Sequence, residues 1–194
     1  MSEPEHIGDI IQQVMPGITR QNGVLRITID TREQLPWAFA DFPMVQAAPG
    51  TLQAGDYRAD GSPFTVERKS PADFLSSITH GRERFERELE KLALVGGSIV
   101  VEGSLADVLT GRANRRPDGR LRVHQNAILA TIAAFLVRYQ VATYFAGSRL
   151  VAEQLAYHLL RQSVKHAEQQ CQAAAGIITE STSEQIEEVP VAGL

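Results

Sequence analysis

The sequence predicts an α/β fold, in which a mixed sheet is flanked by helices. A run rich in β-branched residues, Val24 to Ile29, is typical of a strand, which ends at Asp30. Asp60-Gly61 separates two strand-like segments, 53–59 and 63–67, and therefore indicates a hairpin. Beyond the hairpin, helical and strand patterns alternate, which favours helices packed on both faces of one sheet.

The individual elements follow from local signals. Segment 34–50 contains three prolines and reads as a loop with a short strand at 44–47. Ser70-Pro71 has the pattern of a helix start, with Asp73 as the acidic residue of a capping box, and a second helix follows Gly81. The remaining predicted elements are a strand at 98–102, helices at 104–109 and 125–139, a strand at 141–145 and a long helix at 148–168.

Composition limits the classes of function. The chain has 194 residues, 43% of them hydrophobic, which suits one globular domain. Its net charge of -4 excludes a general basic field for nucleic acid, so any DNA contact needs a local patch. The sequence has one cysteine, no signal-peptide pattern and no transmembrane-length apolar run, so we expect an intracellular, cytoplasmic protein with no membrane partner. We expect a flexible arm at 1–22, the domain at 23–168 and a disordered polar tail at 169–194.

Hairpin geometry brings chemically active side chains together. A turn at Asp60-Gly61 would place Glu67 opposite Ala54, with Asp56 one diagonal step away, whereas a turn at 61–62 would place Asp56 and Glu67 directly opposite. Both registers put the two carboxylates on one face, and strand alternation adds Lys69. Such a group suits Mg²⁺ and an activated water; the alternative is a solvated face with an incidental ion pair.

The wider pattern resembles a known family. Gly55-Asp56, then Glu67-Arg68-Lys69 and Asp73 are similar to the signature of the nuclease domain of XPF-type structure-specific endonucleases, which include archaeal Hef. The element 30–33, Asp-Thr-Arg-Glu, and the segment 77–82, which ends in Gly-Arg, resemble two further family motifs in the same order. The resemblance implies a restriction-endonuclease-like fold and a stand-alone nuclease domain.

The resemblance also implies a role for each matching residue. Asp56, Glu67 and the main-chain carbonyl of Arg68 would bind Mg²⁺, for which Mn²⁺ is expected to substitute, and Asp30 would lie near the ion or bind a second one. Lys69 would assist the attacking water. The residues expected to orient this group or contact phosphate are Arg32, Glu33, Arg68, Asp73 and Arg82. Asp73 is equally well explained as a helix cap, and Arg32 with Glu33 as a loop ion pair.

A polar loop, 111–122, carries clustered arginines, a composition that favours contact with DNA phosphates. Its candidate DNA-binding residues are Arg112, Arg115, Arg116, Arg120 and Arg122. The alternative is a solvated surface loop. Trp37 and Phe39 are expected to pack in the core.

The sequence leaves several functions open. Our main hypothesis is a Mg²⁺-dependent endonuclease for branched or flapped DNA in repair or recombination. The alternatives are a non-catalytic DNA-binding or partner subunit on the same fold, and a nuclease that cuts plain duplex. The family's helix-hairpin-helix repeats are absent from this sequence, so we expect that such targeting is either absent or supplied by a partner protein. A homodimer through the last helices is also expected, with Leu150, Val151, Leu155 and Leu159 as its face or as core. The compact form resembles bacterial or phage-type nucleases.

Overall fold

One six-stranded sheet forms the centre of the protein. The computed structural model describes residues 23–184, with side chains up to residue 174, so the predicted arm 1–22 and residues 185–194 lie outside the described residues. The strands lie in the order β2-β1-β3-β4-β5-β6. Their bounds are β1 Leu25–Asp30, β2 Val45–Gly50, β3 Tyr57–Ala59, β4 Thr65–Lys69, β5 Ser98–Val101 and β6 Thr143–Phe145.

The sheet mixes both strand directions. β3 runs antiparallel to β1 and β4, whereas the pairs β1–β2, β4–β5 and β5–β6 are parallel. A short connection permits the antiparallel pair β3–β4, while each parallel pair needs a crossover segment. The α/β class and the mixed sheet predicted from the sequence are confirmed.

Two strands show why observed bounds depart from the predicted ones. β2 continues through Pro49, which lacks an amide hydrogen, and this is tolerated because β2 is an edge strand. β3 starts only at Tyr57, since Gly55 before it has a left-handed backbone with φ +69. β3 ends at Ala59 and β4 starts at Thr65, so residues 60–64 connect them and the connection is longer than a two-residue turn.

Within residues 23–184, five helices flank the sheet: α1 Pro71–Ser77, α2 Arg82–Leu94, α3 Leu105–Thr110, α4 Gln125–Tyr139 and α5 Arg149–Glu184, with a 3-10 turn at Arg112–Asn114. Ser70 caps α1, because its hydroxyl accepts from the main-chain N–H of Asp73, and Ser104 with Asp107 forms a complete capping box on α3. None of the helices within 23–184 combines the length and apolarity that a membrane crossing requires.

Helix α5 is longer than the sequence suggested. It continues to Glu184, so the stretch 169–184 of the predicted disordered tail is helical. Glutamine and alanine dominate residues 169–175, and both are good helix formers. The polar composition of this stretch suggested disorder, but its helix propensity favours continuation of α5.

Two buried clusters cover opposite faces of the sheet. The α2-face cluster includes Phe74, Phe85, Leu89, Ile99 and Val101, whereas the α5-face cluster includes Trp37, Tyr57, Val66, Val100 and Leu160. Trp37 and Phe39 are buried, as predicted. On α5, Ala152, Ala156, Leu160 and Val164 face the sheet at intervals of four residues.

Candidate active site

Asp56 and Glu67 come together through the register of β3 and β4. Tyr57 lies opposite Val66, which brings Asp56 beside Glu67 and selects the second of the two predicted registers. Asp56 Oδ2 accepts from the main-chain N–H of Arg68 at 2.7 Å, which fixes the carboxylate against β4. Glycine is needed at position 55, because a Cβ there would lie 2.8 Å from the side chain of Thr65.

The three residues Glu67, Arg68 and Lys69 alternate between the two faces of β4. Glu67 and Lys69 lie level with Ile99 and Val101 on the α2 face, and Arg68 lies level with Val100 on the α5 face. Glu67 and Lys69 thus share a face, as the predicted strand alternation requires, and Arg68 lies on the opposite face.

A cavity of about 620 Å³ opens on the α2 face. It is lined by residues from the end of β1, from the loop before β3, from β4 and from α2. Its charged lining residues are Asp30, Arg32, Glu33, Asp56, Glu67, Arg68, Lys69, Asp73, Arg84, Glu88 and Lys91. All eight residues predicted as catalytic line this cavity. Six of them come from two short segments, 30–33 and 67–69.

The two central carboxyl groups are buried close together, which makes negative charge on both of them unfavourable. Burial, with the nearby charge of Glu67, raises the pKa of Asp56 to about 8. Burial also raises the pKa of Glu67, although Lys69 opposes this effect. A cation between the two groups would offset both the burial and the mutual repulsion.

Lys69 is held by two acids and an aromatic ring. Its Nζ donates to Glu67 Oε1 at 2.6 Å, lies 3.9 Å from Glu88 Oε2 and stands 4.8 Å from the centre of the Phe85 ring. Burial by itself would lower the pKa of Lys69. The combined attraction of Glu67 and the other nearby acids outweighs burial, so the pKa of Lys69 is raised. The side chain is therefore a fixed positive charge.

Asp30 lies beside Asp56, because the N–H of Asp30 donates to the main-chain oxygen of Asp56 at 2.8 Å. Its own carboxylate accepts the main-chain N–H groups of Arg32 and Leu52, and also the Arg32 guanidinium through Nε and Nη2. The bond from Arg32 is the main reason why the pKa of Asp30 falls to about 2. Asp30 thus fixes the loop before β3 at the edge of the cavity.

Arg68 belongs to a buried ion-pair network on the other face. Its Nε and Nη2 donate to the two carboxylate oxygens of Glu102, both at 2.8 Å, and its Nη1 lies 3.5 Å from Glu33. Glu102 Oε1 also accepts from Trp37 Nε1 at 2.9 Å and from Arg149 Nη1 at 2.6 Å. We call Arg68, Glu102, Arg149 and Trp37 the Glu102 brace.

The remaining predicted residues lie further from the carboxylates. Asp73 is exposed at the cavity and accepts from the Ser70 hydroxyl at 2.6 Å, and Arg82 pairs with Glu86 at 3.0 Å. The five arginines of the loop 111–122 are all exposed and none of them lines the cavity. Two of these arginines bind the loop itself: Arg115 donates to Thr110 and Gly119 carbonyls, and Arg122 donates to the carbonyl of Arg115.

The donor set suits a hard divalent cation. Asp56 makes one side-chain hydrogen bond with the described residues, through Oδ2, which leaves Oδ1 available. Mg²⁺ commonly uses one or two carboxylates and keeps water as its other ligands. Within residues 23–184, no three His, Cys, Asp or Glu side chains cluster as a preformed metal site, which agrees with Asp30 being bound to Arg32.

Sequence reasoning missed Glu102, Arg84, Glu88 and Lys91. Glu102 had a usable signal, because an acid that ends an apolar strand next to a catalytic strand lies at the edge where such sites form. The three α2 residues had only the ordinary polar pattern of a helix surface.

The fold and the site together define the class: a nuclease domain built on a restriction-endonuclease-like mixed sheet. A family model, the ERCC4 domain, matches residues 29–159. The chain belongs to the ERCC4 domain family, a family of structure-specific DNA nucleases that in general depend on divalent metal.

Two solved structures support the same assignment. The chain is similar to XPF from Aeropyrum pernix in complex with DNA, with 26% identity, a TM-score of 0.56 and coverage of 73% of this chain and 66% of that one. A structure described as XPF from Aeropyrum pernix gives 25% identity, a TM-score of 0.56 and coverage of 75% and 70%. The chain thus spans about two thirds of the length of these relatives. Among curated proteins, no match was found.

Proposed function

We propose that this protein is a metal-dependent DNA endonuclease that cleaves branched or flapped DNA in repair or recombination. The observation that carries the proposal is the side-by-side placement of Asp56 and Glu67 in one cavity, with Lys69 held against Glu67. Two buried acids and a lysine are costly to maintain unless they act together. Family membership supports the same chemistry.

Asp56, Glu67 and the main-chain carbonyl of Arg68 would hold the metal, with Mg²⁺ preferred and Mn²⁺ as a substitute. When bound, the ion supplies charge to the scissile phosphate and lowers the pKa of a bound water. Asp30 acts as a positioning residue, because Arg32 and the main chain already occupy its carboxylate. It keeps the loop that ends at Asp56 in place.

Lys69 contributes a permanent positive charge. The raised pKa of Lys69 favours the protonated ammonium, which can donate hydrogen bonds to a water or a phosphate oxygen. The exposed guanidinium of Arg32, 70% accessible, lies at the same cavity and can contact the DNA backbone. Arg68, which Glu33 approaches, supports this arrangement through the Glu102 brace. Asp73 supports it through the cap of α1.

The arginine loop provides a separate contact to DNA in this proposal. Arg115 and Arg122 shape the loop through their bonds to main-chain oxygens, and Arg112 and Arg116 make no ion pair with the described residues. Arg120 lies 3.9 Å from Asp118. We expect Arg112 and Arg116, with Arg82, to contact phosphates, which gives salt-dependent binding.

A homodimer is a further part of the proposal. Exposed apolar side chains lie on the three consecutive elements around the β6 edge of the sheet: Leu129, Leu136 and Val137 on α4, Tyr144 on β6, and Leu150 and Val151 on α5. Leu155 and Leu159 are instead partly buried against the α5-face cluster. A second copy, or a targeting protein, would cover this exposed surface.

Two other functions remain as alternatives. A non-catalytic DNA-binding or partner subunit would not need Asp56, Glu67 and Lys69, and the presence of all three favours the enzyme. A nuclease for plain duplex would use the same site and differ only in substrate.

Cleavage assays test the proposal. Duplex, splayed-arm, flap and four-way-junction DNA are incubated with the protein in Mg²⁺, in Mn²⁺ and in chelator. We expect cleavage with metal alone, and a loss of about a hundredfold or more for Asp56→Asn and Lys69→Ala. Asp60→Asn, which changes an exposed acid in the hairpin connection, is the matched control and should stay near wild type. Equal inactivity of wild type and variants on every substrate would refute the enzyme reading.

A further inference from the structure

Leu35 is an exposed apolar side chain at the edge of the catalytic cavity. It lines the cavity and is 64% exposed, whereas the neighbouring Trp37 and Phe39 are buried. Nearly all other side chains around the cavity are polar or charged. A single exposed leucine is ordinary on a protein surface. Leu35 differs because it lies beside the proposed reaction centre on a fixed backbone, where it can contact the substrate.

The backbone that carries Leu35 is fixed from two sides. Its N–H donates to Glu33 Oε1 at 2.6 Å, and Nη2 of Arg149 donates to the carbonyls of Leu35 and Pro36 at 2.9 and 2.8 Å. The next residue, Trp37, is anchored by the Tyr57 hydroxyl and by Glu102. The leucine is therefore presented on a rigid support, which reduces the entropy lost when it binds a ligand.

We propose that Leu35 is a specificity-determining contact for the DNA strand, and that its side chain packs against the face of an unstacked base next to the cleaved bond. The inference rests on the proposed nuclease function and names the substrate feature that the site selects. An aliphatic side chain gains nothing from phosphate, so its partner on DNA is an apolar surface.

In a continuous duplex that surface is hidden. Base faces are covered by stacking on their neighbours, and opening a step costs a few kcal/mol. At a flap, a splayed end or a junction, a base face is already free, and leucine is among the residues that proteins insert beside opened base steps. Leu35 therefore favours DNA with an unpaired base at the cleavage position over plain duplex.

Paired substrates and matched variants test this inference. The substrates are a flap and a continuous duplex of the same sequence. The variants are Leu35→Ser, Leu35→Met as the apolar replacement, and Leu94→Ser as the control, since Leu94 is 87% exposed at the end of α2 and does not line the cavity. KM and kcat are measured for each.

We expect Leu35→Ser to raise KM on the flap by about tenfold, with kcat and the duplex values within about twofold of wild type. Leu35→Met and Leu94→Ser should match wild type. Equal losses on flap and duplex, or no difference between Leu35→Ser and Leu94→Ser, would overturn the proposal.

A binding measurement keeps this result separate from the nuclease proposal. In a Lys69→Ala background, adding Leu35→Ser should raise the Kd for the flap DNA by about tenfold and leave the Kd for the duplex within about twofold. If the wild type cleaves no DNA, the nuclease proposal fails, and this titration still decides whether Leu35 contacts the base. Equal affinity of the single and double variants for the flap DNA rejects the contact.

Discussion

The two faces of strand β4 differ in how completely their charged side chains are paired. On the α2 face, Asp56 and Glu67 share one cavity, and Lys69 donates to Glu67 rather than to Asp56. On the α5 face, Arg68, Glu102 and Arg149 satisfy one another through short bonds. The acids of the α2 face therefore lack full compensation and are suited to bind a cation. The paired charges of the α5 face hold the strand and the loop beside it.

The largest effect that this comparison predicts comes from breaking the paired face. Glu102→Gln leaves the Arg68 guanidinium, 7% exposed, with Glu33 as its remaining acid at 3.5 Å. Breaking a buried ion pair by removing one partner typically costs about 3–5 kcal/mol, and we expect that loss in the free energy of unfolding measured with urea. Glu90→Gln on the exposed side of α2 is the control. A cost as small as that of the control would mean that the brace contributes little to stability.

Neutralising Asp56 on the α2 face should raise the stability of the protein at high pH and not lower it. With a pKa of about 8 against an unfolded value of 3.8, Asp56 binds a proton more readily in the folded protein. Its contribution to stability is therefore full below about pH 4 and is lost as pH rises towards 8. In chelator, Asp56→Asn should remove this decline and equal or exceed the wild-type Tm at pH 8. Parallel Tm curves for wild type and variant from pH 5 to 8 would contradict the proposed charge imbalance.

The smallest predicted effect comes from the edge between the faces. Arg32 pairs with the buried Asp30, but its own side chain is 70% exposed, so solvent screening limits the expected cost of Arg32→Ala to about 1 kcal/mol. The pKa of Asp30 is lowered to about 2, so its stabilisation is present above pH 3.8 and lost as pH falls towards 2. The difference between variant and wild type should shrink over that range in urea titrations.

Arg58→Ala, which changes an exposed arginine on β3, is the control for that experiment. A gap between Arg32→Ala and wild type that stays constant down to pH 2 would show that Arg32 does not act through Asp30.

Sequence reasoning worked where the partners are close along the chain. The hairpin spacing limited Asp56 and Glu67 to two registers, and the alternation of strand β4 then assigned Lys69 and Arg68 to their faces. Local capping patterns likewise located the starts of α1 and α3. In each case the determining residues lie within about a dozen positions of one another.

The other features of the site depend on contacts between residues that lie far apart in the sequence. Glu102 meets Arg149 and Arg68 across 47 and 34 positions, and Leu35 meets Arg149 across 114, so no short pattern contains them. The bonds of Asp30 were also not predicted: its main partner, Arg32, is only two residues away, but the N–H of Leu52 lies in an irregular loop 22 residues away. The proposed positioning role of Asp30 rests on both of these bonds.

The late position of α5 in the sequence has a consequence for biosynthesis. All strands that carry the proposed catalytic acids leave the ribosome by Lys69, but Arg149 and the apolar face of α5 follow on the order of 80 residues later. At typical translation rates this is a delay of several seconds or more. During that interval the α5-face cluster lacks its cover and Glu102 lacks its bond from Arg149, so the nascent chain exposes apolar surface until α5 emerges.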